Sequence, residues 1–312
     1  MSVQHQFGSG WVGEIDYIGN KGTHEPVSLA MNQIVPIAGC CFGQTTPTPQ
    51  SLRPYPQWNG VNYFSLSGNF NYNGLILSMQ HYWSHGLSTL VTYTYAKTMD
   101  DVDGINKSDG VANQNTYNLA SQYGVAMIDM PQRFTASYVW LVPIGSGGKL
   151  LADTKGLSQV LGHWEFGGVT QFQPGYPYAV SQTNTDGLFN GAQYTSTTGI
   201  SPYNHNPTVA EWFNPAAFTP TAQNAFGTTP RAALFGPGQN NWDISISRNF
   251  PIREKVTLQL RGDFSNAFNH VQFDNLNTSC TTIVAGACAG AFGAATGDIG
   301  SRSIQVDGRI TF

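Results

Sequence analysis

The feature that most constrains this sequence is an alternation of apolar and polar residues with a period of two, repeated along the chain. The clearest example is the C-terminal segment 302–312, RSIQVDGRITF, with Ile, Val and Phe on one face and polar residues on the other. Successive side chains of a β-strand point to opposite faces of the sheet, so this period indicates strands. Eight strands are predicted, at 11–19, 72–83, 87–97, 133–141, 164–173, 242–250, 255–268 and 302–312.

The composition shows that the polar positions of these strands are mostly uncharged. Only 10% of the 312 residues are charged, against about a quarter in soluble domains. A polar chain that avoids charge is typical of transmembrane β-strands and also of secreted β-sandwiches. No apolar run is long enough for a transmembrane helix, which needs about 18 residues. The net charge of -4 and the absence of a basic run predict no nucleic-acid partner.

The connections between the predicted strands differ strongly in length. Two of them are tight turns, at 84–86 and 250–254. Most of the others are long, at 20–71, 98–132, 174–241 and 269–301. Compact soluble domains rarely carry repeated long loops, whereas outer-membrane barrels combine short periplasmic turns with long extracellular loops. The sequence therefore predicts an all-β fold, an antiparallel transmembrane β-barrel segment of about eight strands. Both chain ends are expected on the periplasmic side, and the long loops are expected to be poorly ordered.

Aromatic residues concentrate at the ends of the predicted strands, as they do in the belts that mark the two membrane interfaces. In a soluble sandwich they would fill a core, with no preference for strand ends. The predicted periplasmic belt consists of Trp11, Trp83, Trp140, Trp164, Phe250 and Phe312. The predicted outer belt consists of Tyr17, Tyr95, Phe134, Phe172, Trp242 and Phe268.

Nine charged residues fall in the polar phase of the strands. A cation at mid-membrane on the lipid face costs about 2–4 kcal/mol, so these side chains are expected to face the lumen. They are Glu14, Asp16, Arg133, Glu165, Asp243, Arg261, Asp263, Asp307 and Arg309. They can pair across strands and stabilise the wall, or they can line a ligand or plug interface. We favour pairing, and we expect Arg261 to lie beside Asp307.

Cysteine spacing and acidic runs give no metal site. Cys280 and Cys288 lack the CxxC spacing of a metal site, and we predict a loop disulfide, with two unpaired thiols as the alternative. The run Asp100-Asp101-Val102-Asp103-Gly104 resembles the start of a calcium loop, but its Gly comes too early and no Glu follows at position twelve. A solvated loop is the preferred interpretation.

The sequence carries no recognisable catalytic motif. Its seven histidines are scattered over predicted turns and loops, and no HExxH, GxSxG or Walker pattern occurs. We therefore predict neither an enzyme nor a bound cofactor.

Five segments, in this order, resemble the TonB-dependent receptors of the Oar-like group, which carry an N-terminal carboxypeptidase-regulatory-like domain. They are YIGNKGTHEPVSLAMNQ (17–33), SHGLSTLVTYTYAKTMDD (84–101), DMPQRFTASYVWLVPIG (129–145), LGHWEFGGVTQFQPGYPYAV (161–180) and GPGQNNWDISISRNFPIREKVTLQLRGDFSNAFNHVQFDNLN (236–277). Each segment alone is weakly specific, but five in the same order are a strong signal, and the resemblance extends over nearly the whole chain.

The resemblance implies an outer-membrane receptor and transporter barrel of about 22 strands, filled by an N-terminal plug and located in the bacterial outer membrane. It implies that residues 1–312 are the C-terminal part of such a barrel, lacking the plug, the TonB box and a signal peptide. The implied partners are outer-membrane lipid, the barrel-assembly machinery through Phe312, and a small ligand such as a sugar, a peptide or a metal chelate. The TonB system would be reached only through the missing N-terminal part.

Two alternatives remain open at this point. One is a small, complete eight-stranded outer-membrane barrel that acts as an anchor or adhesin, its lumen filled by side chains. The other is a secreted β-sandwich that binds carbohydrate. The loop 174–241 suits sugar or peptide stacking as well as ordinary packing, since it contains Tyr176, Tyr178, Tyr194, Tyr203, Trp212 and Phe213.

Overall fold

The structure is a computed structural model that describes residues 1–8, 10–35, 50–84, 86–102, 113–144, 162–183, 193–253 and 256–312. In these ranges the helical elements are three short 3-10 helices, at Gln50–Leu52, Leu119–Gln122 and Pro215–Ala217, and none could cross a membrane. The strands are β1 (Ser2–Phe7), β2 (Trp11–Ala30), β3 (Asn62–Ser84), β4 (Leu87–Asp100), β5 (Gly124–Val125), β6 (Gln132–Leu141), β7 (Trp164–Gln173), β8 (Pro177–Tyr178), β9 (Ser181–Gln182), β10 (Gln193–Tyr194), β11 (Ser196–Thr197), β12 (Phe218–Thr219), β13 (Leu234–Phe235), β14 (Gln239–Arg253), β15 (Val256–Ser265), β16 (Phe273–Leu276), β17 (Ser279–Cys280), β18 (Thr282–Val284), β19 (Ala287–Ala289), β20 (Ala295–Asp298) and β21 (Ser303–Thr311).

One large sheet dominates the fold. Its strands pair in the order β1-β2-β3-β4-β6-β7-β14-β15-β21, and the short β5 pairs with the end of β4. All ladders along this path are antiparallel, so the predicted all-β, antiparallel fold is confirmed. Among the described residues no ladder joins β1 to β21, and the sheet is therefore open.

The strand β1 is an addition to the eight predicted strands. It pairs with β2 over its whole length, yet its alternation is weak, because His5 interrupts the apolar phase between Val3 and Phe7. The extra strand also reverses the direction in which the chain enters the sheet. Met1 lies beside Tyr17, whose N–H donates to the Met1 carbonyl at 2.8 Å. The expectation that both chain ends lie at the same end of the strands is therefore wrong.

The hairpin of β2 and β3 is much longer than predicted. It pairs from Trp11 opposite His81 to Ala30 opposite Asn62, through residues assigned by sequence to the loop 20–71. The alternation is lost here because a register shift follows Thr23 and because His24 has a positive φ of 61°. Such an irregularity changes which side chains share a face. The turn predicted at 250–254 is also shorter, since β14 continues to Arg253.

The cluster of buried hydrophobic residues that the structure describes lies in the long connections. We call their described parts the loop cap: 31–35, 50–61, 101–102, 113–131, 174–183, 193–238 and 266–302. Phe213, Phe218 and Phe292 meet edge to face, with ring centroids 5.2 to 6.2 Å apart. The predicted disulfide between Cys280 and Cys288 is present in the same cluster, with an S–S distance of 2.01 Å.

The expectation of poorly ordered loops is wrong for these described parts. Phe213 is only 1% exposed and Tyr194 is equally buried, while Trp212 and Tyr178 pack against the core. The aromatic composition of 174–241 therefore reflects packing for most of its rings, and only two of the six predicted stacking residues, Tyr176 and Tyr203, are more than half exposed. No periodic pattern in the sequence predicted this core, because its strands are only two to four residues long.

Buried amide side chains join three connections of the loop cap. The Gln33 amide N–H donates to the Gln114 carbonyl at 2.6 Å, and Gln33 Oε1 accepts from the Thr116 N–H at 2.6 Å. Gln114 Oε1 accepts from the backbone N–H groups of Tyr194 and Gly227, each at 3.0 Å. Because buried amides are costly when unpaired, this network fixes the connections relative to one another.

A buried ion pair ties the loop cap to the end of β4. Arg231 Nη1 lies 2.9 Å from Asp100 Oδ1, and the two side chains are only 3% and 5% exposed. Asp101 Oδ1 accepts from the Asn69 N–H at 2.6 Å. Asp100 and Asp101 thus have protein partners, whereas Asp103 and Gly104 of the calcium-like run lie outside the described residues. Burial raises the pKa of the nearby Asp129 carboxyl, which accepts from the Thr98 N–H.

We predict that replacing Arg231 with Met loosens the loop cap. The change leaves a buried carboxylate without its guanidinium partner, which costs about 3–5 kcal/mol. Hydrogen–deuterium exchange of the backbone over residues 193–238 should rise accordingly. Arg302→Met is the matched control because Arg302 is exposed, and it should leave this exchange unchanged. Equal protection in the two variants would contradict the anchoring role of Arg231.

Candidate functional site

The register of the sheet places the nine predicted lumen residues on one face. Directly paired residues share a face, so each ladder carries the assignment to the next strand. One such row is Glu14, Ser78, Thr92, Thr135, Gln171 and Asn241. We call this the polar face. That it is the inner face of a barrel stays a prediction.

The opposite face, which we call the apolar face, carries the residues predicted to contact lipid. Leu258 lies opposite Ile310, and both share this face with Leu260, Ile304 and Val306. Val306 is 76% exposed, and no second sheet covers this face among the described residues. The arrangement is unlike a β-sandwich, in which the apolar side of a sheet packs against another sheet.

Arg261 forms its ion pair along its own strand. Its guanidinium donates to the Asp263 carboxylate at 2.8 to 3.0 Å. Asp307 is directly opposite Arg261 in the ladder, as expected, but accepts from Gln305 at 3.2 Å instead. Residues two apart on a strand share a face, which brings the Asp263 carboxylate within reach of Arg261. Both side chains of this pair are well exposed, so it contributes little stability.

A groove of about 510 Å³ runs along the polar face. Glu165, Asp243, Arg261 and Asp263 line it together with small residues such as Ser245. Of the nine predicted lumen residues on this face, six are acidic and three are arginines. The face therefore has an excess of negative charge, which disfavours anionic ligands.

A second cavity, of about 360 Å³, lies where the polar face meets the loop cap, and we call it the mouth pocket. Its polar lining consists mainly of amides and hydroxyls, from Gln171, Gln239, Asn241, Asp243, Ser265, Asn266, Gln272 and Ser301. It shares Asp243 and Ser265 with the groove. The two cavities therefore form one polar path along the sheet.

Two side chains of the loop cap hold the mouth pocket in shape. Gln272 pairs with the Asn240 backbone in both directions, donating at 2.9 Å and accepting at 3.2 Å. Asn266 likewise pairs with the His270 backbone at 2.9 and 3.0 Å, and its own N–H donates to Asp243 Oδ1 at 3.0 Å. These hydrogen bonds hold the pocket walls in place.

A chain of amides leads into the mouth pocket along the polar face. Arg133 donates to Gln171 at 3.1 Å, Gln171 donates to Gln173 at 2.6 Å, and Gln173 donates to Gln239 Oε1 at 2.7 Å. Sequence reasoning missed these residues because it considered only charged side chains of the polar phase. The signal was present, since Gln171, Gln173, Gln239 and Asn241 occupy alternate positions of two strands.

The predicted periplasmic belt forms a slanted line on the apolar face. Trp140, Trp164, Phe250 and Phe312 lie two, four, six and eight residues beyond the row of paired residues that contains Trp11. The remaining member, Trp83, lies where the register of β3 shifts.

The slant measures the tilt of the strands, because an interface belt must stay level with the membrane. From Trp11 to Phe312 the belt drifts eight residues across seven strand intervals. With about 3.3 Å per residue and about 4.8 Å between strands, the tilt is about 40°. Outer-membrane barrels have tilts of about 35–45°.

Arg248 is a residue of the apolar face that sequence reasoning passed over. Its guanidinium carbon lies 4.3 Å from the ring centroid of Phe250 and 5.3 Å from that of Trp164. A cation stacked on aromatic rings at the interface level is tolerated far better than one at mid-membrane. In the sequence, it could have been recognised as an arginine at an apolar position of the alternation, close to an aromatic residue of the predicted belt.

The described residues contain no cluster of three or more His, Cys, Asp or Glu side chains that could hold a metal ion. Phe312, proposed to be read during barrel assembly, ends the chain after β21 and is 95% exposed. The candidate site therefore consists of the groove and the mouth pocket.

Comparison with known proteins gives a family and a fold. Residues 1–305 match the family described as outer membrane beta barrel domain. The outer membrane transporter YddB from Escherichia coli aligns with 99% of this chain at 11% identity and a TM-score of 0.50. P. aeruginosa FpvA, solved with a bound pyoverdine and iron, aligns with 99% of the chain at 8% identity and a TM-score of 0.35.

The chain is much shorter than either of these structures. It spans 31% of the YddB chain and 32% of the FpvA chain. At 11% identity the likeness to YddB concerns the fold alone. No curated protein matches this sequence.

We predict that the two faces of β14 respond differently to an added arginine. Ile246 lies on the apolar face, four residues from both Trp242 and Phe250, and is therefore predicted to lie at mid-membrane. Ile246→Arg should reduce the free energy of unfolding by about 2–4 kcal/mol, measured by guanidinium titration of the protein in lipid vesicles. Ser245→Arg, the control, places the charge in the groove and should cost much less. Equal losses would show that the faces are wrongly assigned.

Proposed function

Because this chain belongs to the outer membrane beta barrel domain family and resides in the outer membrane, we propose that it forms the C-terminal part of a TonB-dependent receptor of the Oar-like group. The receptor takes up a small ligand and is not an enzyme. The observation that carries this proposal is an open, tilted sheet whose polar face holds a continuous path from the mouth pocket into the groove.

The size of the polar path favours a wide barrel. A barrel closed from about eight strands has a lumen just wide enough for its side chains. Here the polar face carries a groove of about 510 Å³ and a mouth pocket of about 360 Å³. In a small anchor or adhesin, side chains would fill this space. The exposed apolar face argues against the alternative of a β-sandwich.

The edges of the sheet support completion by further strands. In a bilayer, each unsatisfied backbone group costs several kcal/mol. The edge strands β1 and β21 have partners on one side only among the described residues. We propose that other strands of the receptor pair with both edges, that a plug fills the lumen, and that the plug carries the contact with TonB.

The loop cap would form the outer entrance of the receptor. It has its own core, a disulfide and a buried ion pair, and it supplies Asn266 and Gln272 to the mouth pocket. A ligand would meet this region first and then pass along the polar face. Lipid would cover the apolar face, and the assembly machinery would bind the strand that ends with Phe312.

The proposal predicts energised uptake by the complete receptor. The full reading frame that contains residues 1–312 would be expressed in two outer-membrane hosts, one with TonB and one without it. Uptake of a labelled hexasaccharide, hexapeptide or ferric chelate should occur in the first host and fall at least tenfold in the second.

Two results would contradict this proposal. One is uptake that is equal in both hosts. The other is a signal peptide encoded directly before Met1 together with a stable, heat-modifiable monomer of this chain, which would indicate the small anchor instead.

A further inference from the structure

We propose, on the basis of the proposed function, that the ligand received by the mouth pocket is a neutral oligosaccharide. The inference rests on the chemistry of the lining, on the charge around it, and on the continuity between the pocket and the groove. It narrows the ligand to one chemical class.

The free hydrogen-bonding groups of the mouth pocket match vicinal hydroxyls. Gln239 Oε1 accepts from Gln173, and none of the hydrogen bonds found among the described residues uses its Nε2 donors. Asn241 Nδ2 donates to Asp243 Oδ2 at 3.0 Å, which leaves Asn241 Oδ1 as an acceptor. Adjacent donors and acceptors suit sugar hydroxyls, because each hydroxyl both donates and accepts.

The charge of the site disfavours an anionic chelate. No lysine or arginine lines the mouth pocket among the described residues, and the nearest arginine along the amide chain, Arg133, donates to Gln171. Asp243 lies at the junction with the groove, where Glu165 and Asp263 add negative charge. Arg261 also lines the groove, but its guanidinium is paired with Asp263, so a carboxylate or phosphate ligand would find no free counter-charge in the mouth pocket.

The lining of the mouth pocket, unlike that of the groove with Leu90 and Val139, also disfavours a peptide. Peptide recognition needs apolar subsites for side chains, and Ile299 is the one large apolar residue in the lining that the structure describes. The bonds of Gln272 and Asn266 to the backbone hold the polar groups in place, which reduces the entropy lost on binding.

The shape of the path favours an oligosaccharide over a single sugar. The mouth pocket, at about 360 Å³, is near the lower end of the volumes typical of ligand sites. It adjoins the groove, with which it shares Asp243 and Ser265, and Ser88, Ser137 and Ser245 place hydroxyls among the apolar residues of the groove. A linear chain of sugars can therefore occupy both cavities.

The test is equilibrium binding to the complete receptor, purified in a detergent without a sugar headgroup. Maltohexaose, cellohexaose and xylohexaose are the neutral probes. Ferric citrate and hexaalanine represent the two competing ligand classes, anionic chelates and peptides. We expect at least one hexasaccharide to bind by calorimetry. Gln239→Met combined with Asn241→Leu should weaken its binding at least tenfold.

A matched control lies on the same face, away from the pocket. Gln259 is paired opposite Asn249, which is eight residues beyond Asn241 on β14, or about 26 Å. Gln259→Met should change the affinity less than twofold. Gln239→Glu, which keeps the shape of the side chain but removes its donors, should also weaken binding and serves if the double variant does not fold.

Three results would overturn the inference: no binding of any hexasaccharide at millimolar concentration, binding that neither Gln239 variant changes, or binding of ferric citrate or hexaalanine alone. TonB-dependent uptake of a chelate without saccharide binding would refute the inference and leave the proposed function intact. Saccharide binding without any dependence of uptake on TonB would refute the proposed function and leave the inference intact.

Discussion

The backbone hydrogen bonds of the sheet are the constraint on which the rest of this structure depends. A bilayer offers no water to the N–H and C=O groups of a strand, so each must bond to a neighbouring strand. The antiparallel ladders satisfy this requirement along the path from β1 to β21. They also fix the register, and a slip of one residue would move the charges of the polar face to the opposite face of the sheet. The polar path is thus a consequence of correct pairing.

The large sheet from β1 to β21, which we call the wall, and the loop cap are stabilised by different interactions. The wall has little buried core, because its apolar face is exposed to the surroundings and its polar face lines the cavities. The loop cap has a conventional core around Phe213, together with the disulfide and the Arg231–Asp100 pair. The mouth pocket lies where the two meet, so its geometry depends on both. A change in the loop cap can therefore alter the mouth pocket without changing the large sheet.

The sequence predicts the wall far better than it predicts the cap, and the reason is physical. Strands such as β15 and β21 have one apolar and one polar side, which imposes a strict period of two that can be read directly. The period fails where this selection is relaxed or interrupted, as at His5 in β1 and at His24 in β2. Arg248 was not predicted on the apolar face, because a cation is tolerated there only through its contacts with Trp164 and Phe250, and Trp164 lies on another strand.

The cap could not be predicted because its order arises from contacts between distant segments. Gln114 bonds to Gly227 and Arg231 pairs with Asp100, and neither contact has a local signature. The partner of Arg261 shows the same limit on a smaller scale. Its facing position opposite Asp307 followed from the period, but the choice of Asp263 depends on side-chain conformation.

The central claim is that the polar face lines an aqueous lumen while the apolar face contacts lipid. Spin labels at successive positions of β15, from Leu258 to Arg261, would test it in the complete receptor reconstituted into vesicles. We expect labels at Leu258 and Leu260 to collide with dissolved oxygen, and labels at Gln259 and Arg261 to collide with a water-soluble nickel chelate. A reversed alternation, or equal accessibility at all four positions, would contradict the account.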